Sequence, residues 1–162
     1  MNKTEKIAIV PGSFDPITKG HIDIIKQAAQ TYDRVYVAVM INSQKQYMFS
    51  IDERKQIAEA AVVGIKNVSV ISSEGWLWML AKDLGACAIV KGYRNEVDLA
   101  YEQNMAKFNE EKYPEAKTVL IKSSSALEGI SSTAVREKIL KKEPLDDYLP
   151  QSVIVAINKI KN

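Results

Sequence analysis

From Pro11 to His21 the chain reads Pro-Gly-Ser-Phe-Asp-Pro-Ile-Thr-Lys-Gly-His, placing two hydroxyls, two glycines and the sequence's one histidine in a single short segment. The arrangement is not G-x-G-x-x-G, and no Lys-Ser/Thr pair follows its last glycine. Neither the dinucleotide fingerprint nor the P-loop therefore applies. These residue types can still form a phosphate cradle of another kind. Gly20 lets the backbone approach an anion closely and Thr18 offers a hydroxyl. His21 falls at the start of a helix, where unpaired N–H groups already favour negative charge.

Three further segments carry related chemistry. Lys45 follows an apolar run that ends at Ile41. Lys91-Gly92-Tyr93-Arg94 sets two cations around a glycine, which suits a polyanion. Ser131-Ser132-Thr133 precedes a helical pattern, where hydroxyls act as N-caps and can also clasp phosphate oxygens. Together, Ser13, Thr18, His21, Lys45, Lys91, Arg94 and the three hydroxyls describe one anion-binding pocket without a carboxylate pair, a thiol nucleophile or a metal-ligand cluster. Such a pocket fits phosphate-transfer chemistry by positioning and charge neutralisation, in which the protein need not supply a nucleophile.

These segments must be brought together by the elements between them. Ile7–Val10 is a short apolar run stopped by Pro11-Gly12 and reads as a buried strand. Apolar spacing predicts a helix over 21–32, and the β-branched run 35–41 a second strand. Ser50 with Glu53 is a capping box that opens a helix to about residue 62. Residues 68–71 read as a third strand, 76–84 as a helix closed by Gly85, and 88–90 as a fourth strand. A longer helix over 97–112, a strand over 118–121 and helices over 132–141 and 150–160 complete the order. Strands that are apolar throughout, alternating with helices, imply a doubly wound α/β architecture around a five-stranded parallel sheet covered on both faces. Ligands bind beyond the carboxyl ends of such strands, where all four segments lie. No composition shift divides the chain, so 1–162 reads as a single domain.

Composition narrows the function classes. The chain has 162 residues, 46% of them hydrophobic and 26% charged, which is the profile of one ordinary globular domain. Twenty-two basic against 20 acidic residues give a formal charge of +2, too mild for a nucleic-acid surface, so anion chemistry must come from a local site. The apolar runs are too short to span a bilayer, and the opening Met1–Lys6 lacks the apolar core of a signal peptide. A lone cysteine, Cys87, within Ala86–Val90 is expected to be buried and inert, in keeping with a reducing compartment.

The segment 11–21 closely resembles the opening motif of the bacterial phosphopantetheine adenylyltransferases, members of the nucleotidyltransferase superfamily marked by (His/Thr)-x-Gly-His. The likeness continues along the chain in Lys45 with Met48-Phe49, in Lys91-Gly92-Tyr93-Arg94, in Tyr101-Glu102, in Ile130–Thr133 and in Tyr148-Leu149-Pro150. The resemblance implies a Rossmann-like nucleotidyltransferase fold. It also implies a reaction in which ATP and 4′-phosphopantetheine give dephospho-coenzyme A and pyrophosphate, with Mg²⁺ accompanying ATP. It further implies a cytoplasmic homohexamer, while the mild charge, the short apolar runs and the lack of a metal-ligand cluster speak against a nucleic-acid partner, a membrane and a protein-bound metal.

By the same resemblance His21, Thr18 and Lys45 are the catalytic set. His21 would stabilise charge on the α-phosphate, with Thr18 beside it. Ser13 and Lys45 would orient the attacking phosphate, with Lys91 and Leu77 on the same substrate. Ser13, Phe14, Gly92, Tyr93, Arg94 and Glu102 would contact ATP. Leu127, Glu128, Gly129, Ile130, Ser131, Ser132 and Thr133 would close over adenine and the β- and γ-phosphates. Three departures from the family pattern stand out. Lys91 occupies a position where Arg is usual, Gln46-Tyr47 stands where Lys-Pro is usual, and Leu127-Glu128-Gly129 lacks a common aromatic residue. Glu128–Ser131 is similar to the Glu-Gly-Ile-Ser of cytidylyltransferases of the same fold. A cytidylyltransferase is therefore one alternative, and a catalytically silent nucleotide-binding regulatory protein another. Thr18 argues against the first, because the cytidylyltransferases usually carry His there.

Overall fold

A computed structural model describes residues 4–162; Met1, Asn2 and Lys3 of the charged opening stretch lie outside the described residues. In chain order the elements are β1 (Ile7–Gly12), α1 (Lys19–Thr31), β2 (Arg34–Met40), α2 (Ile51–Val62), β3 (Val68–Ser73), α3 (Leu77–Leu84), β4 (Ala88–Tyr93), α4 (Glu96–Lys112), β5 (Lys117–Lys122), α5 (Ser132–Leu140) and α6 (Gln151–Lys161). The strands form one parallel sheet in the order β3-β2-β1-β4-β5. The chain therefore winds outward from β1 to β3, crosses back, and continues outward from β4 on the other side. That reversal makes the gap between the carboxyl ends of β1 and β4 the topological switch point.

The register shows how the gap opens. β1 pairs with β2 from Ile7↔Arg34 to Gly12↔Val39, but with β4 only at Ala8↔Ala88 and Ile9↔Ile89. On sequence alone the Pro11-Gly12 pair stops β1 at Val10, and proline has no N–H to give to a ladder. β1 instead runs through Pro11 to Gly12, since its ladder towards β4 has already ended and pairing on the β2 side carries it on.

Alternation within the strands divides the core. Ala8, Val10, Val35, Val37, Val39, Ala88 and Val90 pack with α1, α2, α6 and Val135 of α5 on one face. Ile9, Ala38 and Ile89 pack with Ala81, Ala86 and Ala116 on the other, under α3 and the end of α4. The second face is the thinner one. Trp76 at the start of α3, Met79 on it, and Val97, Tyr101 and Met105 on α4 remain exposed. Gly85 closes α3 in the left-handed conformation, φ 65°, as its place after Leu84 predicted. Cys87 corrects the sequence reading: it is exposed, in the turn between α3 and β4, before the strand enters the core. None of the described helices is long and apolar enough to cross a membrane.

Candidate active site

A cavity of about 510 Å³ opens at the switch point. Its walls come from the β1–α1 loop, the β2–α2 loop, the end of β4, the first turns of α4 and the segment leading into α5. These are the strand ends that the sequence singled out. Ser13, Phe14, Thr18, His21, Lys45, Lys91, Gly92, Arg94, Glu102, Leu127, Ile130, Ser131, Ser132 and Thr133 all line it. Four residues named by resemblance do not. Tyr93 is half-buried at the end of β4, and Glu128 and Gly129 are exposed on the loop before α5. Leu77 packs on the α3 side of the sheet.

The spacing Thr18-x-x-His21 is the geometry of a capping box. Thr18 is the N-cap of α1, and its side chain accepts from the His21 amide, while the His21 side chain accepts from the Thr18 amide. The second bond runs from Thr18 N–H to Nδ1 of His21 over 3.0 Å. A backbone amide can only donate, so Nδ1 is the bare nitrogen and the proton of the neutral ring sits on Nε2. The helix boundary follows from this cap. The sequence reading opened α1 at His21, but Thr18 closes the first turn and the helix begins at Lys19.

The imidazole is held neutral. Burial and then the nearby Arg94 charge push its pKa from the ordinary 6.5 down to about 4. His21 therefore presents an uncharged Nε2–H donor to the cavity at neutral pH. A donor of this kind stabilises charge that develops on a bound oxyanion.

Charge in the cavity is organised in pairs. Lys91 pairs with Glu102, Arg94 with Asp98 at 3.2 Å, and Arg136 approaches Asp15 at 3.8 Å. The sequence reading named no carboxylate pair here, yet Asp15, Asp98 and Glu102 all reach the wall. Each is committed to a cation. Lys45 alone among the four cavity cations has no acidic partner within reach among the described residues. Its ammonium is therefore free to meet an anionic ligand.

Three residues that hold the site were missed. Asp15 is buried, and its carboxylate accepts from the amides of Met48 and Phe49 at 2.9 and 3.0 Å. This ties the β1–α1 loop to the segment that opens α2. Arg136 donates to the Asp15 carbonyl at 2.8 Å and to the Thr133 hydroxyl at 3.1 Å, while the Ser132 hydroxyl donates to the Pro16 carbonyl at 2.8 Å. Arg54 is buried and donates to the carbonyls of Ser13, Met40 and Phe49 at 2.7, 3.0 and 3.2 Å. One signal for Arg54 was available. It lies on the same stripe of α2 as Ile57, Ala58 and Val62, and a charge on a core-facing stripe needs a polar network to hold it.

The chain matches the model of the cytidylyltransferase-like family over residues 9–138. It is 41% identical over 157 residues to a Streptococcus gordonii protein named phosphopantetheine adenylyltransferase, covering 96% of each chain. Relatives of the same name from Streptococcus sanguinis and Alkaliphilus metalliredigens are 39% and 41% identical, covering 98% and 95% of this chain and 98% of each relative. A Vibrio parahaemolyticus crystal structure, provisionally described as a nicotinate-nucleotide adenylyltransferase, superposes with a TM-score of 0.74 at 17% identity, covering 96% of this chain and 93% of its own. At that identity the likeness is one of fold.

Proposed function

The chain belongs to the cytidylyltransferase-like family and, within it, to the phosphopantetheine adenylyltransferase family, and from that premise we propose that the cavity joins ATP to 4′-phosphopantetheine. The chain is a nucleotidyltransferase of coenzyme A biosynthesis. A phosphate oxygen of 4′-phosphopantetheine attacks the α-phosphorus of ATP, the bond from that phosphorus to the bridging oxygen breaks, and pyrophosphate leaves. The products are dephospho-coenzyme A and pyrophosphate.

A phosphate monoester is already a nucleophile, so no general base is required. The difficulty is to bring two anions together and to absorb charge as it shifts to the leaving group. Lys45, free of an acidic partner, and Ser13 hold the incoming phosphate, with Lys91 beside them. His21 donates its Nε2–H to an α-phosphate oxygen. Its neutral state suits the task, because a fixed donor strengthens as charge grows on that oxygen and needs no proton transfer. Arg94 with Gly92 and Glu102 contacts ATP, and the segment 127–133 closes over adenine and the β- and γ-phosphates. Leu77 stands off the cavity wall, so it would meet only a pantetheine arm that runs past the rim towards α3.

The three cavity carboxylates are paired with cations, which fits an Mg²⁺ ion carried on the ATP phosphates rather than one held by the chain. When bound, that ion neutralises phosphate charge. An assembly of six copies in the cytoplasm belongs to the same reading. The exposed apolar residues Val97, Tyr101 and Met105, spaced four apart on α4, together with Trp76 and Met79, support burial against further copies.

The observation that carries the proposal is the His21 imidazole, its Nδ1 satisfied by the Thr18 amide, on a wall shared with Lys45 and Arg94. Purified protein with ATP, Mg²⁺ and 4′-phosphopantetheine is expected to release pyrophosphate, and omission of any component is expected to stop it. CTP in place of ATP is expected to give little product. Equal use of CTP, or release that does not depend on phosphopantetheine, overturns the reading.

A further inference from the structure

Ten residues, Ile41 to Ser50, connect β2 to α2, and Lys45 lies in the middle of them. Lys45 is exposed and has no side-chain partner among the described residues. Its ammonium rides on a flexible stem, so its backbone must be fixed if it is to meet a phosphate in one place. The loop is folded on itself to do this. The Lys45 amide donates to the Asn42 carbonyl at 3.0 Å, and the Gln44 amide donates to Asn42 Oδ1 at 3.0 Å. Tyr47 reaches back across the turn, and its hydroxyl oxygen accepts from the Asn42 amide at 2.8 Å.

The other side of Tyr47 is also held. Its ring lies 3.8 Å from the guanidinium carbon of Arg54, a contact worth more when the cation is buried. Arg54 in turn donates to the carbonyls of Met40 at the end of β2 and of Ser13 in the β1–α1 loop. A continuous path of contacts thus runs from Asn42 through Tyr47 and Arg54 to Ser13. It links the two segments that carry Lys45 and Ser13.

We propose that Tyr47 is a positioning residue, a clasp that closes the Asn42–Tyr47 turn onto Arg54 and so fixes Lys45 in register with Ser13 for the incoming phosphate. The proposal rests on the reading that Lys45 holds that phosphate and adds what sets its place. Tyr47 acts through Lys45 and touches no reacting atom. Its loss must therefore fall on the phosphate-bearing acceptor rather than on ATP, and must vanish once Lys45 is gone.

The test is steady-state kinetics of Tyr47→Ala and Tyr47→Phe, each made in the wild-type chain and in Lys45→Ala, with thermal unfolding as a control for folding. Tyr47→Ala is expected to lower kcat/KM for 4′-phosphopantetheine about tenfold, with KM for ATP within about twofold. Tyr47→Phe keeps the ring on Arg54 and is expected to recover part of the loss. In the Lys45→Ala background the Tyr47→Ala change is expected to add less than about twofold. NMR-detected hydrogen exchange supplies a readout independent of turnover. In Tyr47→Ala the amides of Asn42 and Lys45 are expected to exchange about tenfold faster, while those of Met48 and Phe49, held by Asp15, stay unchanged. Equal losses for both substrates, an undiminished effect in Lys45→Ala, or unaltered exchange at Asn42 and Lys45 overturns the proposal. A wild-type chain that releases no pyrophosphate sinks the underlying reading instead, and the exchange measurement then decides the clasp alone.

Discussion

The ring of Phe14 stands edge-on to the imidazole of His21, with centroids 5.0 Å apart and planes at 80°. This contact backs the ring that the Thr18 amide pins from the other side. Phe14 is buried and holds a positive φ of 49°, a conformation that costs energy for a residue with a side chain and persists only where its surroundings enforce it. The enforcement comes from close packing. A Cβ built on Gly12 would lie 3.0 to 3.2 Å from three atoms of the Phe14 ring. Backbone of β1, the Phe14 ring and the His21 imidazole are therefore in contact one after another, and the position of the donor nitrogen is set from the central strand outward.

Gly12→Ala is accordingly expected to push the Phe14 ring against His21. Overpacking of a filled site costs about 1–3 kcal/mol, so urea denaturation should show a loss in that range. Turnover should fall further than the affinity for ATP does, because the displaced group acts on the reacting phosphate. Kinetics and equilibrium binding on the same preparation check both parts.

The depressed pKa of His21 gives a pH signature with a definite sign. Its folded value of about 4 lies below the ordinary 6.5, so between these limits the unfolded chain binds the extra proton and the folded chain does not. The contribution to stability is complete above about pH 6.5 and is lost as the pH falls towards 4. His21→Gln removes the titrating group and should flatten this part of the stability curve. Turnover should show two acid limbs: one at about pH 6, where the attacking phosphate monoester takes up its second proton, and a lower one, where His21 itself is protonated. Arg94→Met removes the second cause of the shift, which should move the lower, His21 limb to higher pH while the phosphate limb stays in place. Denaturation midpoints and pH–rate profiles measure the two effects.

Arg54→Met removes a buried guanidinium and leaves the carbonyls of Ser13, Met40 and Phe49 without their donor. The expected loss is about 3 kcal/mol in urea denaturation, the scale of breaking a buried charged network. Arg54→Lys restores the charge but not the planar fork and should recover only a fraction.

The architecture was legible because burial on both faces leaves a plain mark. Ile7–Val10, Val35–Ile41 and Ala88–Val90 are apolar at every position, and the helices between them are amphipathic or well capped. The capping box of α2 forms as read, with Ser50 and Glu53 bonded reciprocally at 2.9 and 3.1 Å. The same motif at Thr18 and His21 was hidden because histidine, not Glu or Gln, fills the third helical position. The strand ends pointed to the cavity because a parallel sheet gathers them on one edge. Asp15 with Arg136 could not be read in this way. The two are 121 positions apart, and no local periodicity reports a contact at that distance. The exposure of Cys87 was lost for a different reason. An apolar neighbourhood in sequence does not tell whether the residue falls within a strand or in the turn before it.

His21→Ala tests the central claim most directly, with turnover measured beside the equilibrium affinity for ATP. If the neutral imidazole acts on charge that develops only during transfer, turnover should fall by about a hundredfold or more, the cost of removing one such donor, while ATP binds within a few fold of wild type. Losses of the same size in binding and in turnover would contradict the account, since they would make His21 a nucleotide anchor and leave the transfer step without its donor.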